Sequence, residues 1–265
     1  MQKLMYLVLS IASISGYAQS NTQCGNVKSQ EKYGLSVMWE RSSAEKNALY
    51  HQAYNVGTQY INNWVKVNHP QPKTWGVILD IDDTVLDNSW FLHDCGAFPN
   101  SEVDFGRLVV NAKKSTAEPG AKEFLSHVHS LGGYVSLISN RNGNVDDETG
   151  NVLASTVANL KAQGVYFDQV IIANYDNNPT PSDKNPRFNA VTSGNYNDKL
   201  MIYSNKLPAH EVIAYFGDNI QDFPKFKQSV MIKKDINSSA YSKFGNNYFV
   251  LPNPMYGSWT SNQNN

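Results

Sequence analysis

One short stretch, residues 77–84, constrains the fold of this 265-residue chain more than any other part. It reads V-I-L-D-I-D-D-T, and an apolar run that ends in polar residues is typical of a buried strand. The carboxylates then lie where the strand emerges, at the edge of an open α/β sheet where ligands bind. Because Asp80 and Asp82 repel each other, the stretch favours a bound divalent cation such as Mg²⁺ over an acidic, solvated turn.

Segments typical of strands alternate with segments typical of helices along the rest of the chain. This alternation predicts an α/β fold built on a parallel sheet with right-handed crossovers. The predicted strands cover about residues 75–79, 134–138, 169–173 and 212–216, with shorter ones near 200–203 and 248–251.

The helices have recognisable ends. A capping box, S-S-A-E at residues 42–45, begins a long helix that runs to about residue 67. Asp146 is expected to cap a helix that ends near residue 162, and a proline suited to a first helical turn begins a short helix near Asn185. The irregular segment at about residues 88–117 is interpreted as an inserted cap.

Composition limits the classes of partner. The formal net charge is −1 with no run of like charges, so a nucleic acid polymer is not an expected partner. The hydrophobic content of 41% suits a globular core, and residues 19–265 are interpreted as one domain. A homodimer is left open.

The first 18 residues are interpreted as a signal peptide. Lys3 precedes an apolar run at residues 4–14, and G-Y-A at residues 16–18 offers small residues for cleavage after Ala18. The run is too short to span a membrane, and no cysteine lies at the cleavage point after Ala18, so no membrane anchor is expected. The mature chain is therefore expected in the periplasm or secreted, where Cys24 and Cys95 either pair or remain two free thiols.

Polar side chains follow each of the four main predicted strands. Because the carboxyl ends of parallel strands meet at one edge, these side chains are expected to converge. One carboxylate can attack phosphorus, a second can move the proton, and a hydroxyl and a lysine can hold phosphoryl oxygens beside Mg²⁺. The pattern therefore predicts phosphoryl transfer. The residues are Asp80, Asp82, Ser139, Lys184, Asp218 and Asp222.

These motifs resemble those of the haloacid dehalogenase (HAD) superfamily of phosphohydrolases. The D-I-D-D-T at residues 80–84 matches its first motif, and G-D-N-I-Q-D at residues 217–222 matches its fourth. S-N-R at residues 139–141 and Lys184 resemble the second and third. A closer resemblance, over about residues 30–260, is to the bacterial class C acid phosphatases. It implies a Rossmann-like parallel sheet flanked by helices, with a small cap inserted after the first motif.

The resemblance also implies roles for the carboxylates. Asp80 would be the nucleophile and Asp82 the general acid and base, with Thr84 orienting the acid. Asp80 and Asp218 would bind Mg²⁺ directly, Asp82 would bind it through its backbone carbonyl, and Asp222 would hold a metal-bound water.

The remaining motif residues would surround the phosphate group. By the same resemblance Ser139, Asn140 and Lys184 would bind the transferred phosphoryl group. Arg141 and Arg187 are either supports of the site or structural ion-pair partners.

The implied function is a secreted, Mg²⁺-dependent acid phosphatase that hydrolyses phosphomonoesters, including nucleoside 5′-monophosphates, through an aspartyl phosphate. A phosphotransferase that uses the same intermediate is an alternative. A non-catalytic binding or storage member is another, which the presence of all four aspartates disfavours. Four aromatic residues either line a slot that binds the base or pack the cap against the body, and the sequence favours neither alternative. They are Trp90, Phe91, Tyr256 and Trp259.

Overall fold

The computed structural model describes residues 34–95, 105–106, 113–147 and 150–262. The predicted signal peptide, Cys24 and part of the predicted cap lie outside these residues. None of the helices within the described residues is long and apolar enough to cross a membrane. In chain order the described helices and strands are α1 (Leu35–Ser42), α2 (Ala44–Asn68), β1 (Trp75–Leu79), β2 (Leu86–Asp87), α3 (Ser89–Cys95), β3 (Thr116–Ala117), α4 (Ala121–Ser130), β4 (Tyr134–Asn142), β5 (Asp146–Asp147), β6 (Gly150–Asn151), α5 (Val152–Ala162), β7 (Gln169–Ala173), α6 (Asn185–Ser193), β8 (Met201–Tyr203), β9 (Glu211–Gly217), α7 (Gln228–Met231) and β10 (Tyr248–Val250).

The central sheet has six strands in the order β10-β9-β1-β4-β7-β8. The first five of these strands run parallel, and β8 pairs antiparallel with β7. All five residues of β1 are buried, as expected for a strand with a neighbour on each side and helices on both faces. The predicted α/β fold with a mostly parallel sheet is therefore confirmed.

Alternate side chains of the strands enter two different cores. Val77 and Leu79 of β1 point to a core that includes side chains of α2, α4 and α5, whereas Ile78 points to a core that includes α6. This is the two-residue period of a strand, which places successive side chains on opposite faces. The sheet is thus sandwiched between helical layers, and only its edges and the loops at its ends are available for a site.

Helix α2 approaches the sheet closely at Gly57. A Cβ at this position would lie 2.5 Å from the ring of Phe216 in β9, so only glycine allows this approach. Tyr54, one turn earlier, stacks on the same ring at a centroid distance of 5.8 Å. The aromatic ring of Tyr54 therefore packs α2 against the sheet.

The second main strand differs from the prediction. β4 continues to Asn142, beyond the predicted end at residue 138. Its regular pairing with β7 stops at Ile138 and resumes at Asn142, so residues 139–141 form an irregular stretch within the strand. Such bulges re-aim side chains, and this one places the S-N-R residues at the carboxyl edge of the sheet.

The helix after β4 also begins elsewhere than predicted. Asp146 was expected to be its cap, but it lies in β5, which pairs with β6 in a short hairpin. The cap is Asn151, whose side chain accepts a hydrogen bond of 2.8 Å from the backbone N–H of Ala154. The hairpin separates β4 from α5. Its two strands are too short to give a hydrophobic period in the sequence.

The described part of the predicted cap is more regular than expected. It contains α3 and ends in β3, which pairs antiparallel with β2, the strand directly before the predicted cap. This hairpin lies directly after the D-I-D-D-T residues. It therefore brings Thr116 and Ala117 back beside the residues that follow the first motif.

Candidate active site

Three carboxylates meet at the carboxyl edge of the sheet. Asp80 follows β1, Asp218 follows β9, and Asp222 closes the next short turn. One carboxylate oxygen from each lies within 4.8 Å of the others. The turn is held by a reciprocal cap, in which the backbone N–H of Asn219 donates to Asp222 Oδ2 at 2.8 Å. Residues far apart in the chain thus form one oxygen-rich group.

Lys184 lies against this group and is itself buried. Its Nζ donates to Asp222 Oδ1 at 2.6 Å and also to Asp80 Oδ1. Although burial opposes it, the two carboxylates raise the pKa of Lys184, so the ammonium stays charged. We call Asp80, Asp218, Asp222 and Lys184 the active-site cluster.

The active-site cluster carries more negative than positive charge. Three carboxylates and one ammonium leave two negative charges uncompensated. Burial, together with the neighbouring carboxylates, raises the pKa of Asp80 and of Asp218 well above the ordinary value. Oxygen ligands and a deficit of two charges fit a hard divalent cation such as Mg²⁺. Asp80, Asp218 and Asp222 are the side chains that could hold it.

The carboxylate of Asp82 lies apart from this cluster. It accepts hydrogen bonds from Ser139 Oγ at 2.6 Å and from Arg141 Nη2 at 2.8 Å, and a further one from Asn88. Burial alone would raise the pKa of Asp82, but Arg141, Ser139 and Asn88 together lower it. The two aspartates of the first motif therefore have different surroundings, as two different chemical roles require.

The two arginines considered as supports have different partners. Arg141 forms an ion pair with Asp82, and its Nη1 donates to Thr156 Oγ1 at 2.7 Å. Arg187 donates to Asn140 Oδ1 and, at 3.1 Å, to the carbonyl of Pro181. The side chain of Asn140 is thereby engaged, because its Nδ2 also donates to the carbonyl of Ser182 at 3.3 Å. Asn140 therefore joins β4 to the segment before Lys184.

Two residues that contact Asp218 were not assigned this contact from sequence. Asn253 Nδ2 donates to Asp218 Oδ2 at 2.8 Å, and its Oδ1 accepts the backbone N–H of Met255 at 2.9 Å, which fixes the amide orientation. Thr84, which the resemblance places beside the acid, instead donates to Asp218 Oδ1 at 3.3 Å. Asn253 belongs to residues 251–259, L-P-N-P-M-Y-G-S-W, which we call the closing segment.

The contacts of Asp83 are with residues that hold the fold together. Its side chain accepts from the hydroxyl of Tyr256 and, at 3.0 Å, from the backbone N–H of Asn88. Its carbonyl accepts the hydroxyl of Tyr50 at 2.6 Å. Asp83 is fully buried, and this burial raises its pKa well above the ordinary value. It thus anchors the turn after β1 to α2 and to the closing segment.

The four candidate aromatic residues lie in different environments. Phe91 is 1% exposed and packs on Phe105 at a centroid distance of 5.6 Å, so the packing alternative holds for this residue. Trp90 is half-buried, donates to Ser115 Oγ at 3.1 Å, and lines a cavity of about 760 Å³. Among the described residues, no member of the active-site cluster lines that cavity.

The other two aromatic residues belong to the closing segment. The hydroxyl of Tyr256 donates a hydrogen bond to Asp83, and its ring packs beside the apolar group that contains Phe91. Trp259 is 43% exposed, and its Nε1 donates to the carbonyl of Tyr256 at 3.1 Å. Of the four rings, that of Trp259 is the most open to solvent.

Comparisons with known proteins identify the family of this chain. A family model described as HAD superfamily, subfamily IIIB (Acid phosphatase), matches residues 8–259. The solved structure of the class C acid phosphatase from Bacillus anthracis is 26% identical, with 85% of each chain covered and a TM-score of 0.65. A structure of the class C acid phosphatase from the same organism with tungstate bound is 27% identical, with the same coverage and TM-score. The chain therefore belongs to the acid phosphatases of HAD subfamily IIIB and is a phosphomonoesterase.

Proposed function

We propose that this acid phosphatase is Mg²⁺-dependent and works through an aspartyl phosphate formed on Asp80. The observation that carries the proposal is the separation of two kinds of carboxylate at one sheet edge. The carboxylate of Asp80 forms a group with those of Asp218 and Asp222 that has an excess of negative charge. The carboxylate of Asp82 is held apart from them by hydrogen bonds from Arg141 and Ser139.

The reaction then has two halves. In the first, Asp80 attacks phosphorus, the bond from phosphorus to the ester oxygen breaks, and Asp82 gives a proton to the departing alcohol. Asp82 must first take up this proton against the effect of Arg141, Ser139 and Asn88, which lower its pKa. In the second, Asp82 takes a proton from water, whose oxygen attacks the phosphorus of the aspartyl phosphate. Inorganic phosphate leaves, and the carboxylate of Asp80 and the proton on Asp82 are restored.

Oxygen donors of this chain would hold the metal. Asp80, Asp218 and the backbone carbonyl of Asp82 are the proposed direct ligands, and Asp222 would act through a bound water. When bound, Mg²⁺ supplies the positive charge that lets an anionic nucleophile approach an anionic phosphate.

Ser139, Lys184 and the backbone at Asn140 are the proposed phosphate ligands. Ser139 Oγ already lies 2.6 Å from Asp82, and Lys184 Nζ lies beside Asp80, so both can reach a group that bridges the two aspartates. The similar structure with bound tungstate supports recognition of a tetrahedral oxyanion. Ser139 would donate to the phosphoryl oxygens, and Lys184 would neutralise them.

The substrates are proposed to include nucleoside 5′-monophosphates, with Trp259, Tyr256 and Trp90 as candidates to contact the base. Replacing Trp90 by alanine should lower turnover of a nucleoside monophosphate relative to a simple aryl phosphate. An unchanged preference would remove Trp90 from the slot. The predicted signal peptide supports export to the periplasm or the medium, and a homodimer stays a prediction.

A panel of phosphomonoesters, assayed with EDTA and then with added Mg²⁺, tests the proposal. Phosphate release should stop with EDTA and return with Mg²⁺, and the Asp80→Asn protein should release none while keeping its circular dichroism spectrum. Full activity of Asp80→Asn would contradict the assignment of the nucleophile. Product analysis with added acceptor alcohols separates hydrolysis from phosphotransfer.

A further inference from the structure

Arg187 is a buried cation that has only neutral partners. It is 1% exposed, its Nη1 donates to the carbonyl of Pro181, and its Nη2 donates to the side chain of Asn140. Its Nε has no hydrogen-bond partner. Within the described part of the chain no carboxylate forms an ion pair with it, in contrast to Arg141, which pairs with Asp82. Burying a charge is costly unless an opposite charge compensates it.

The position of Arg187 suggests what that opposite charge is. It lies in the first turn of α6, and its backbone N–H donates to the carbonyl of Lys184 at 3.0 Å. Its guanidinium connects the segment of Lys184 to Asn140, the neighbour of Ser139. The two segments that carry the proposed phosphate ligands are therefore joined by one cation.

These contacts do not neutralise the charge of Arg187. Carbonyl and amide oxygens accept its hydrogen bonds but carry no net charge. Burial lowers the pKa of Arg187 to about 10, and the nearby Tyr175, Asp183, Asp80 and Asp222 partly offset this, so the guanidinium stays charged at neutral pH. The amino end of α6 adds partial positive charge at the same place.

We propose that Arg187 is a positioning residue that also stabilises bound phosphate electrostatically. It holds Asn140 and the Lys184 segment together, and its charge, which no ion pair among the described residues neutralises, attracts the phosphate from behind them without touching it. This inference rests on the proposed function, because it takes the oxyanion to bind between Ser139 and Lys184. The competing explanation is a clamp that joins the two segments and has no effect on the anion.

Two substitutions separate these explanations. Arg187→Lys keeps the positive charge but loses the planar fork, whereas Arg187→Gln keeps an amide donor and removes the charge. Lys73→Met is a matched control, because Lys73 lies before β1, at the opposite edge of the sheet, and pairs with Asp168 at 3.0 Å. The measurement is inhibition of the Mg²⁺-loaded enzyme by inorganic phosphate, together with the rise in melting temperature that phosphate produces.

Removal of the charge should weaken phosphate binding by about tenfold or more in Arg187→Gln. Arg187→Lys should stay within about threefold of the wild type, and Lys73→Met should match it. Equal phosphate inhibition in Arg187→Gln and wild type would overturn the electrostatic role, even if the melting temperature falls. If Arg187→Gln does not fold, a loss in folded Arg187→Lys as large as that expected for Arg187→Gln overturns it instead.

Failure of the proposed function would look different. A wild-type enzyme that is neither inhibited nor stabilised by phosphate would contradict the proposed oxyanion site itself. A wild type that responds to phosphate, with an Arg187→Gln protein that responds equally, would contradict only the role of Arg187.

Discussion

The active-site cluster and a second buried cluster have the same composition, three carboxylates and one lysine, but arrange it differently. In the second cluster the lysine is central, and its Nζ lies 2.7–3.1 Å from all three carboxylates. In the active-site cluster Lys184 contacts Asp80 and Asp222 but not Asp218. The second cluster, called the Lys46 cluster, consists of Lys46, Glu40, Asp87 and Glu118.

The Lys46 cluster already contains its cation. Oxygens of Asp83, Asp87 and Glu118 come within 4.8 Å of one another, as the oxygens of a metal site do. The ammonium of Lys46, however, contacts two of these three carboxylates directly. Burial raises the pKa of Glu118 to about 8, so a proton removes part of the remaining negative charge near neutral pH. This cluster joins α1, α2 and the β2–β3 hairpin.

In the active-site cluster, neutral hydrogen-bond donors instead of the lysine hold one of the three carboxylates. Asp218 is held by Thr84 and Asn253, so one carboxylate of the cluster is oriented without a cation. The cluster also lies at the carboxyl edge of the sheet, where a ligand can enter. The comparison teaches that the same residue composition occurs in two settings, and the proposed function assigns the metal to the cluster at the carboxyl edge of the sheet.

The largest expected difference between the clusters is in activity. Asp218→Asn should lower kcat/KM for a phosphomonoester by about 10²–10³-fold or more, because it removes a charged metal ligand. Glu118→Gln, the matched change in the Lys46 cluster, should leave kcat/KM close to the wild type. Steady-state kinetics with Mg²⁺ measures both, and similar losses in the two variants would refute the division between the clusters.

Stability should respond to the lysine of the Lys46 cluster. Lys46→Met should lower the free energy of unfolding by about 3–5 kcal/mol, because the buried Glu40 and Glu118 and the half-buried Asp87 lose their shared counter-ion. Urea denaturation followed by circular dichroism measures this loss. A wild-type midpoint for Lys46→Met would show that the cluster is not a structural ion pair.

Metal should stabilise the protein only through the active-site cluster. Mg²⁺ at about 100 times its dissociation constant should add about 2.7 kcal/mol to the unfolding free energy of the wild type. The same gain is expected in Glu118→Gln and none in Asp218→Asn. Denaturation with EDTA and with Mg²⁺ tests this, and an equal gain in Asp218→Asn would place the metal elsewhere.

The last expected difference is a pH dependence from Glu118, which appears as a slope of stability against pH. Its pKa is raised from an ordinary 4.5 to about 8 in the folded protein, so the folded state holds more protons than the unfolded state between these values. This contribution to stability is complete below about pH 4.5 and is lost as the pH rises through 8, by at most about 1.4 kcal/mol per pH unit. The Glu118→Gln protein should lack it. Identical slopes in EDTA for this variant and the wild type would contradict the assignment.

Much of the site could be predicted from the sequence because its signals are local. The apolar run before Asp80 predicted a buried strand, and the motif residues near the ends of later strands predicted one shared edge. The structure brings Asp80, Asp218, Asp222 and Lys184 together at that edge. Strand periodicity and parallel topology were sufficient for this, because both are visible in short stretches of sequence.

The sequence by itself therefore determined the fold class, the family and which residues meet at the sheet edge. Only the tertiary structure decided their partners: that Arg141 pairs with Asp82 while Arg187 has neutral partners, and that Asn253 orients Asp218. The bulge in β4 and the Lys46 cluster were likewise invisible beforehand. The physical reason is the distance along the chain over which each kind of interaction acts. Hydrophobic period and capping act over a few residues, whereas the partner of a buried charge is set by segments that sheet order and helix packing bring together from distant parts of the chain.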